Sequence, residues 1–176
     1  MPDSLATRLT NTIRTVPNFP KPGIFFKDIT PLLANASLLR ETFLAMSAPF
    51  VTQHITHVVG IESRGFLFGV PIAQLLRAAF VPARKPGKLP RETASESFAL
   101  EYGHDALEIH LDAFGTAARV LIVDDILATG GTATAAYRLV ERLGGTVIGL
   151  SVLGEIRGLK NDALPTGMAV HSLLEF

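Results

Sequence analysis

The sequence predicts an α/β fold with a mainly parallel central sheet flanked by helices, and three observations predict it. Two strand–loop–helix units recur, one over residues 56–80 and one over 120–153, which is the β-α-β order of a parallel sheet. In each unit a short apolar run ends in a polar turn before the helix, and ligands in such sheets bind at these carboxyl ends of the strands. The composition, 48% hydrophobic and 18% charged over 176 residues, supplies a buried core. That length fits one domain with a small appended lobe.

The elements follow in order. Ser4 is placed to cap a short helix running to about Ile13. Val16 to Pro31 carries Pro17, Pro20, Pro22 and Pro31 with little periodicity, so an ordered loop or small lobe is expected, ending near residue 33. The core is then expected over residues 34–176. Thr56 to Ile61 reads as a buried strand and Glu62-Ser63-Arg64-Gly65 as its polar turn. The apolar run Phe66 to Phe80 is too long for a strand, and Pro71 predicts a kink or late start of the helix. Val81 to Pro90 is short, basic and turn-rich. Gly103-His104-Asp105 predicts a hairpin within Phe98 to His110.

Val120-Leu121-Ile122-Val123 suits a central parallel strand. After the loop Asp124 to Thr132, a helix is expected from about Ala133. Its core face is Ala136, Leu139, Val140 and Leu143, at i, i+3, i+4 and i+7, and Gly144-Gly145 ends it. Thr146 to Leu153 is the return strand.

Lys plus Arg and Asp plus Glu are both 16, which argues against a nucleic-acid binder. There is no cysteine, hence no disulfide, thiolate metal site or thiol nucleophile. No segment reaches the ~18 continuous apolar residues of a membrane span. Met1-Pro2-Asp3-Ser4 has neither the basic nor the apolar region of a secretory signal, so a cytoplasmic protein is expected. The five histidines lack metal-ligand spacing, and His54 and His57 are given no role.

The loop from Asp124 to Thr132 carries the chemistry. Small residues before a helix let backbone N–H groups turn inward, where the positive end of the helix dipole helps hold an anion. Ala128, Thr129, Gly130, Gly131 and Thr132 form such a cradle, with two hydroxyl donors. No Lys follows the glycines, so this is not a P-loop, and the dinucleotide spacing is absent. Asp124 and Asp125 would repel a phosphate unless they held something else, and vicinal sugar hydroxyls are natural donors to them. The plainer reading of two aspartates, an acidic strand end capping the next helix, does not explain the whole run.

This run, Val120 to Asp125 through Thr129-Gly130-Gly131-Thr132, resembles the phosphoribosyl-pyrophosphate signature of the type I phosphoribosyltransferases. The resemblance implies that Asp124 and Asp125 hold ribose hydroxyls and that Ala128 to Thr132 hold the 5-phosphate. It also implies a type I phosphoribosyltransferase-like fold with a small N-terminal hood and a flexible flap over about residues 93–110, closing over the sugar. Arg84-Lys85-Pro86-Gly87-Lys88, by itself a solvated basic loop, then becomes the candidate pyrophosphate site through Arg84, Lys85 and Lys88, with Arg64 beside it. Arg64 and Lys85 are the candidates for charge stabilisation at the leaving group. In this family the turn after the first strand often holds a cis non-proline peptide, which makes Glu62–Ser63 the candidate. Mg²⁺ is expected to be bound mainly through phosphoribosyl pyrophosphate, and no protein metal ligand is assigned.

Phe19 to Pro31, Ile61 to Gly69, Arg84 to Pro90 and Leu100-Glu101-Tyr102-Gly103 match the adenine phosphoribosyltransferase family in order, weakest over Leu33 to His54 and beyond Lys160. The match implies transfer to N9 of adenine, with AMP and pyrophosphate as products and a homodimer as the assembly. Adenine is expected against Phe26, with Leu159 as opposite wall by resemblance and backbone groups of Phe25 and Lys27 at the 6-amino edge. Glu101 is the candidate acid/base group near purine N7, although a bare glutamate there reads as a surface strand residue. Two rivals stand beside this reading: a same-fold enzyme for a 6-oxopurine or orotate, and a non-catalytic sensor of phosphoribosyl pyrophosphate. A 6-oxo base commonly asks for a Lys at the purine edge, where this chain has Gly154-Glu155. A sensor asks for a basic face or an extension.

Overall fold

The structure is a computed structural model that describes residues 3–99, 104–159 and 164–176. The chain divides into two compact units, Met1–Ala45 and Met46–Phe176.

In the first unit, helix α1 (Leu5–Thr12) is capped as expected: the Ser4 hydroxyl accepts the Thr7 N–H at 3.1 Å. Val16 to Pro31 is more regular than its prolines suggested. Strands β1 (Arg14–Pro17) and β2 (Phe25–Asp28) pair antiparallel, from Arg14 opposite Asp28 to Pro17 opposite Phe25. The prolines fall at the strand end and in the connection, where no ladder N–H is required. Helix α2 (Thr30–Leu33) follows, its first N–H accepted by Asp28 at 2.9 Å. Asn35 accepts the Leu38 N–H at the start of α3 (Ala36–Ser47). The division at 45/46 lies beyond the expected boundary at 33/34. An Arg8–Glu41 ion pair fastens α1 to α3, and Leu9, Leu32 and Leu38 are buried.

The second unit is a five-stranded, wholly parallel sheet. In chain order its elements are β3 (His57–Ile61), α4 (Gly65–Leu76), β4 (Ala79–Ala83), the antiparallel hairpin β5 (Thr93–Ala99) and β6 (His104–His110), β7 (Arg119–Leu127), α5 (Gly131–Arg142), β8 (Thr146–Glu155) and β9 (Val170–Glu175). The sheet order is β4-β3-β7-β8-β9. Val59, Ile61, Val120 and Ile122 pack with Ala136, Leu139 and Val140 of α5 in its core.

Several expectations are corrected here. The helix α4 starts at Gly65 and runs through Pro71, so there is no late start. The apolar run to Phe80 is broken by Arg77, which is left-handed at φ 55°, and the chain re-enters the sheet as β4. Pro82 is tolerated because β4 is an edge strand. Both Asp124 and Asp125 lie inside β7, which pairs with β8 as far as Leu127–Glu155, and α5 begins at Gly131 rather than Ala133. Gly144 ends α5 at φ 84°, as expected.

Candidate functional site

Strands β3 and β7 are parallel neighbours with Gly60 opposite Val123, so the turn after β3 lies beside Asp124 and Asp125. A side chain at Gly65 would bring its Cβ to 2.8 Å from the Val123 carbonyl oxygen and 3.0 Å from Asp124 Oδ1. The turn can approach β7 this closely only because residue 65 has no Cβ. Within it Glu62–Ser63 is the cis peptide that the resemblance implied.

These elements frame a cleft of about 300 Å³ whose lining includes Ser63, Arg64, Lys85, Asp124, Asp125 and Thr132. Beside it, a smaller cavity of about 70 Å³ is bordered by Asp124, Ala128, Thr129, Gly130 and Thr132. Gly130 is left-handed at φ 84°, a conformation glycine adopts without penalty, and it turns the chain into α5. Gly131 opens that helix, so the first-turn N–H groups sit at the cavity, as an anion site requires. The structure thus brings together Arg64, Lys85, both aspartates and the small-residue loop.

The aspartates differ. Asp125 is only 3% exposed, and Arg64 Nε stands 2.8 Å from its Oδ2. Asp124 borders both cavities. Burial and then the neighbouring Asp125 charge push the Asp124 carboxyl well above its ordinary range. Burial raises Asp125 too, against the pull of Arg64.

Arg84 and Lys88 are held away from the cleft lining by Glu62, a residue the sequence reading used only for its backbone. Arg84 reaches Glu62 through Nε at 3.3 Å, Lys88 through Nζ at 2.6 Å, and the Lys85 backbone N–H donates to it at 2.9 Å. Burial raises the Glu62 carboxyl, but Lys88, Lys85 N–H and Arg84 outweigh it and hold the group down at about 2. Lys85 Nζ donates to Asp105 at 2.6 Å, and this bond holds Asp105 below its usual range. Arg84 and Glu108 exchange both backbone hydrogen bonds, and Gly87 N–H donates to the Glu108 carboxylate. A basic run flanked by unassigned acids was the available signal for Glu62, Asp105 and Glu108, but nothing local pairs them.

The adenine candidates belong to different units. In the first, Phe25 is 63% exposed, Phe26 meets Phe19 edge to face at 5.1 Å, and Lys27 Nζ donates to Thr15 Oγ1. In the second, Leu159 is exposed. Glu101 lies outside the described residues. The hairpin spans Thr93 to His110, but Leu107 and Ile109 are buried in the core, which anchors its inner end. Among the described residues no group of three or more His, Asp or Glu side chains is arranged to hold a metal ion.

A model of the phosphoribosyl transferase domain family matches residues 32–161. The chain is 58% identical over 173 residues to an adenine phosphoribosyltransferase of Myxococcus xanthus, covering 98% of this chain and 94% of that protein. It superposes on the crystal structure of a Rhodothermus marinus adenine phosphoribosyltransferase with TM-score 0.93 at 53% identity, covering 98% of each chain. The Saccharomyces cerevisiae adenine phosphoribosyltransferase, solved with D-2,5-dideoxy-2,5-imino-altritol 1,6-bisphosphate and adenine, gives 0.91 at 38% identity over 97% of this chain and 98% of that one.

Proposed function

The chain belongs to the phosphoribosyl transferase domain family, and from that membership we propose that it transfers the 5-phosphoribosyl group of phosphoribosyl pyrophosphate to N9 of adenine, giving AMP and pyrophosphate. The observation that carries the donor half is a pair of adjoining cavities that share Asp124, Ile126 and Thr132, the smaller bordered by the small-residue loop and the larger lined by Arg64 and Lys85. The acceptor half is supported by the full-length likeness to adenine-specific relatives.

In this reading the 5-phosphate sits on the Ala128–Thr132 loop, and Asp124 accepts the ribose hydroxyls. Asp125 pairs with Arg64, and in this reading the pair keeps the guanidinium at the cleft that both residues line. Pyrophosphate leaves from one face of a ribose with oxocarbenium character as adenine N9 enters from the other, and Arg64 and Lys85 take up the charge that develops. Adenine recognition is assigned by resemblance alone, to Phe26 and backbone groups of Phe25 and Lys27 in the first unit. By resemblance, closure of the 93–110 flap over the sugar excludes water from the anomeric carbon.

Magnesium fits this site as a cation carried by the substrate: Asp125 is engaged by Arg64, which leaves Asp124 as the carboxylate bordering both cavities. When bound it neutralises pyrophosphate oxygens. A homodimer is supported by the exposed stripe Leu67, Val70 and Leu75 on α4, each 44–46% exposed. No helix among the described residues is long and apolar enough to cross a membrane. The reading places the protein in the cytoplasm, with its charged and membrane-impermeant sugar donor.

A pyrophosphate-release assay over adenine, hypoxanthine, guanine and orotate, with phosphoribosyl pyrophosphate and Mg²⁺, tests this. Turnover with adenine alone is expected. Turnover of hypoxanthine or guanine without adenine would overturn the acceptor, and binding of the donor without any turnover would make the chain a sensor.

A further inference from the structure

A carboxylate beside an anion site is costly, because it repels the ligand and spends the positive charge that the ligand needs. Glu62 is such a carboxylate. It follows β3 directly, borders the cleft, and its side chain is only 7% exposed. Its two oxygens collect donors from the whole basic turn: Lys88 Nζ and Arg84 Nη2 on Oε1, the Lys85 N–H and Arg84 Nε on Oε2. Its own N–H donates to the carbonyl of Ala83, the last residue of β4 before the turn.

Arg84 is further fixed by donating to the Lys88 carbonyl at 3.1 Å, with its guanidinium 6.0 Å from the Phe66 ring centroid. Arg84 and Lys88 therefore act as struts, and Lys85 is the member of the run that lines the cleft.

We propose that Glu62 is the positioning residue of the pyrophosphate site, gathering Arg84, the Lys85 backbone and Lys88 into one turn so that the Lys85 ammonium is presented to the cleft beside Arg64. This rests on the reading of that cleft as the pyrophosphate end of the donor site. The carboxylate is tolerated there because three donor groups absorb its charge before the ligand meets it, and they hold it ionised down to about pH 2. Burial gives it one geometry, and charge-assisted hydrogen bonds make that geometry stiff. A cation displaced by a cleft's width contributes little to holding the donor's pyrophosphate in the ground state, which is why the turn's shape outweighs its net charge.

The experiment measures steady-state constants for both substrates, pyrophosphate affinity by calorimetry and melting temperature for wild type, Glu62→Gln and Glu62→Asp. Gln keeps the shape without the charge, and Asp keeps the charge one methylene short. In both variants KM for phosphoribosyl pyrophosphate and Kd for pyrophosphate are expected to rise about tenfold, the effect of losing charge-assisted bonds, with KM for adenine and kcat within threefold. Unchanged donor constants in either folded variant would overturn the proposal. So would tighter pyrophosphate binding, which would make Glu62 a repulsive group, or equal losses for both substrates with a lowered melting temperature, which would make it merely structural. Should Glu62→Gln fail to fold, Glu62→Asp decides alone. A wild type that turns over no adenine would instead sink the reading beneath it, before any variant is compared.

Discussion

Two regions proposed to hold anions border adjoining cavities, and they are built in opposite ways. The Ala128–Thr132 loop is made by consecutive residues: Gly130 turns the chain, Gly131 starts α5, and the donors are that helix's own first-turn N–H groups. The Arg84–Lys88 turn has its charge in sequence but its shape from elsewhere, from Glu62 after β3 and from Asp105 and Glu108 on β6. One region is preformed by local chain geometry, the other by tertiary carboxylates. The loop should therefore be sensitive to backbone changes and the turn to charge changes.

Gly65 offers the most severe break, because it lets the turn that carries Glu62 approach β7, the strand that leads into the loop. Gly65→Ala sets a methyl group 2.8 Å from the Val123 carbonyl and 3.0 Å from Asp124 Oδ1, and a backbone oxygen inside a sheet cannot step aside. A displacement on the order of 1 Å between Arg64 and Asp124 is expected to lower kcat/KM for the donor on the order of 10²-fold. Activity within threefold of wild type would mean that the turn after β3 and strand β7 are coupled more loosely than their contact at Gly65 implies.

Charge changes test the turn. Lys85→Ala removes a cation that lines the cleft and is expected to raise KM for phosphoribosyl pyrophosphate about tenfold. Lys88→Ala removes a strut from Glu62 and should cost only about threefold. A larger effect at Lys88 would show that the ammonium held by Glu62, rather than the one at the cleft, meets the ligand.

The same contrast explains what the sequence could disclose. The parallel sheet and the helix face of Ala136, Leu139 and Val140 are local patterns of apolar period and both stand where expected, whereas the small-residue loop is shortened at one end by β7 and at the other by α5. The edge strand β4 was hidden because Phe66 to Phe80 is predominantly apolar, interrupted only at Gln74 and Arg77, and the left-handed turn at Arg77 divides helix from strand. The continuation of β7 through two aspartates was hidden because burying Asp125 depends on Arg64, a residue far away in sequence. Glu62, Asp105 and Glu108 were hidden for the same reason: pairing across 20 or more positions is a property of the fold.

Acidity separates the regions by sign. Glu62 is depressed from 4.5 to about 2, so its contribution to stability is complete above its unfolded value and is lost as pH falls from about 4.5 toward 2. Asp124 is raised, so its contribution is complete below its unfolded value near 3.8 and is lost as pH rises through its folded value. Melting temperature should therefore fall on acidification in wild type and fall less in Glu62→Gln, whereas Asp124→Asn should gain relative stability toward neutral pH. Ribose hydroxyls donated to Asp124 favour its ionised form, so in the pH range where Asp124 still carries its proton, donor binding should release that proton and tighten as pH rises. Calorimetry in buffers of different ionisation enthalpy measures that release, and proton uptake would reverse the assignment of Asp124 to the sugar.

The smallest effect is also the least expected in direction. Lys85 is bonded at 2.6 Å to Asp105, whose carboxylate borders the cleft and is held ionised by that bond. An incoming pyrophosphate must share or take this ammonium, so Asp105 competes with the ligand where Glu62 serves it. Replacing Asp105 by Asn keeps a hydrogen-bond acceptor for Lys85 but removes the competing charge, and pyrophosphate should bind about threefold tighter, the scale of a partly exposed ion pair. Asp105 also sits on β6, one strand of the hairpin, so the exchange of its partner ties occupancy of the basic turn to the outer end of that hairpin. If Asp105→Asn instead weakens pyrophosphate as Glu62→Gln does, both carboxylates aim cations and neither competes. The turn would then be one rigid cage, and its difference from the phosphate loop would reduce to which atoms, side-chain or backbone, do the holding.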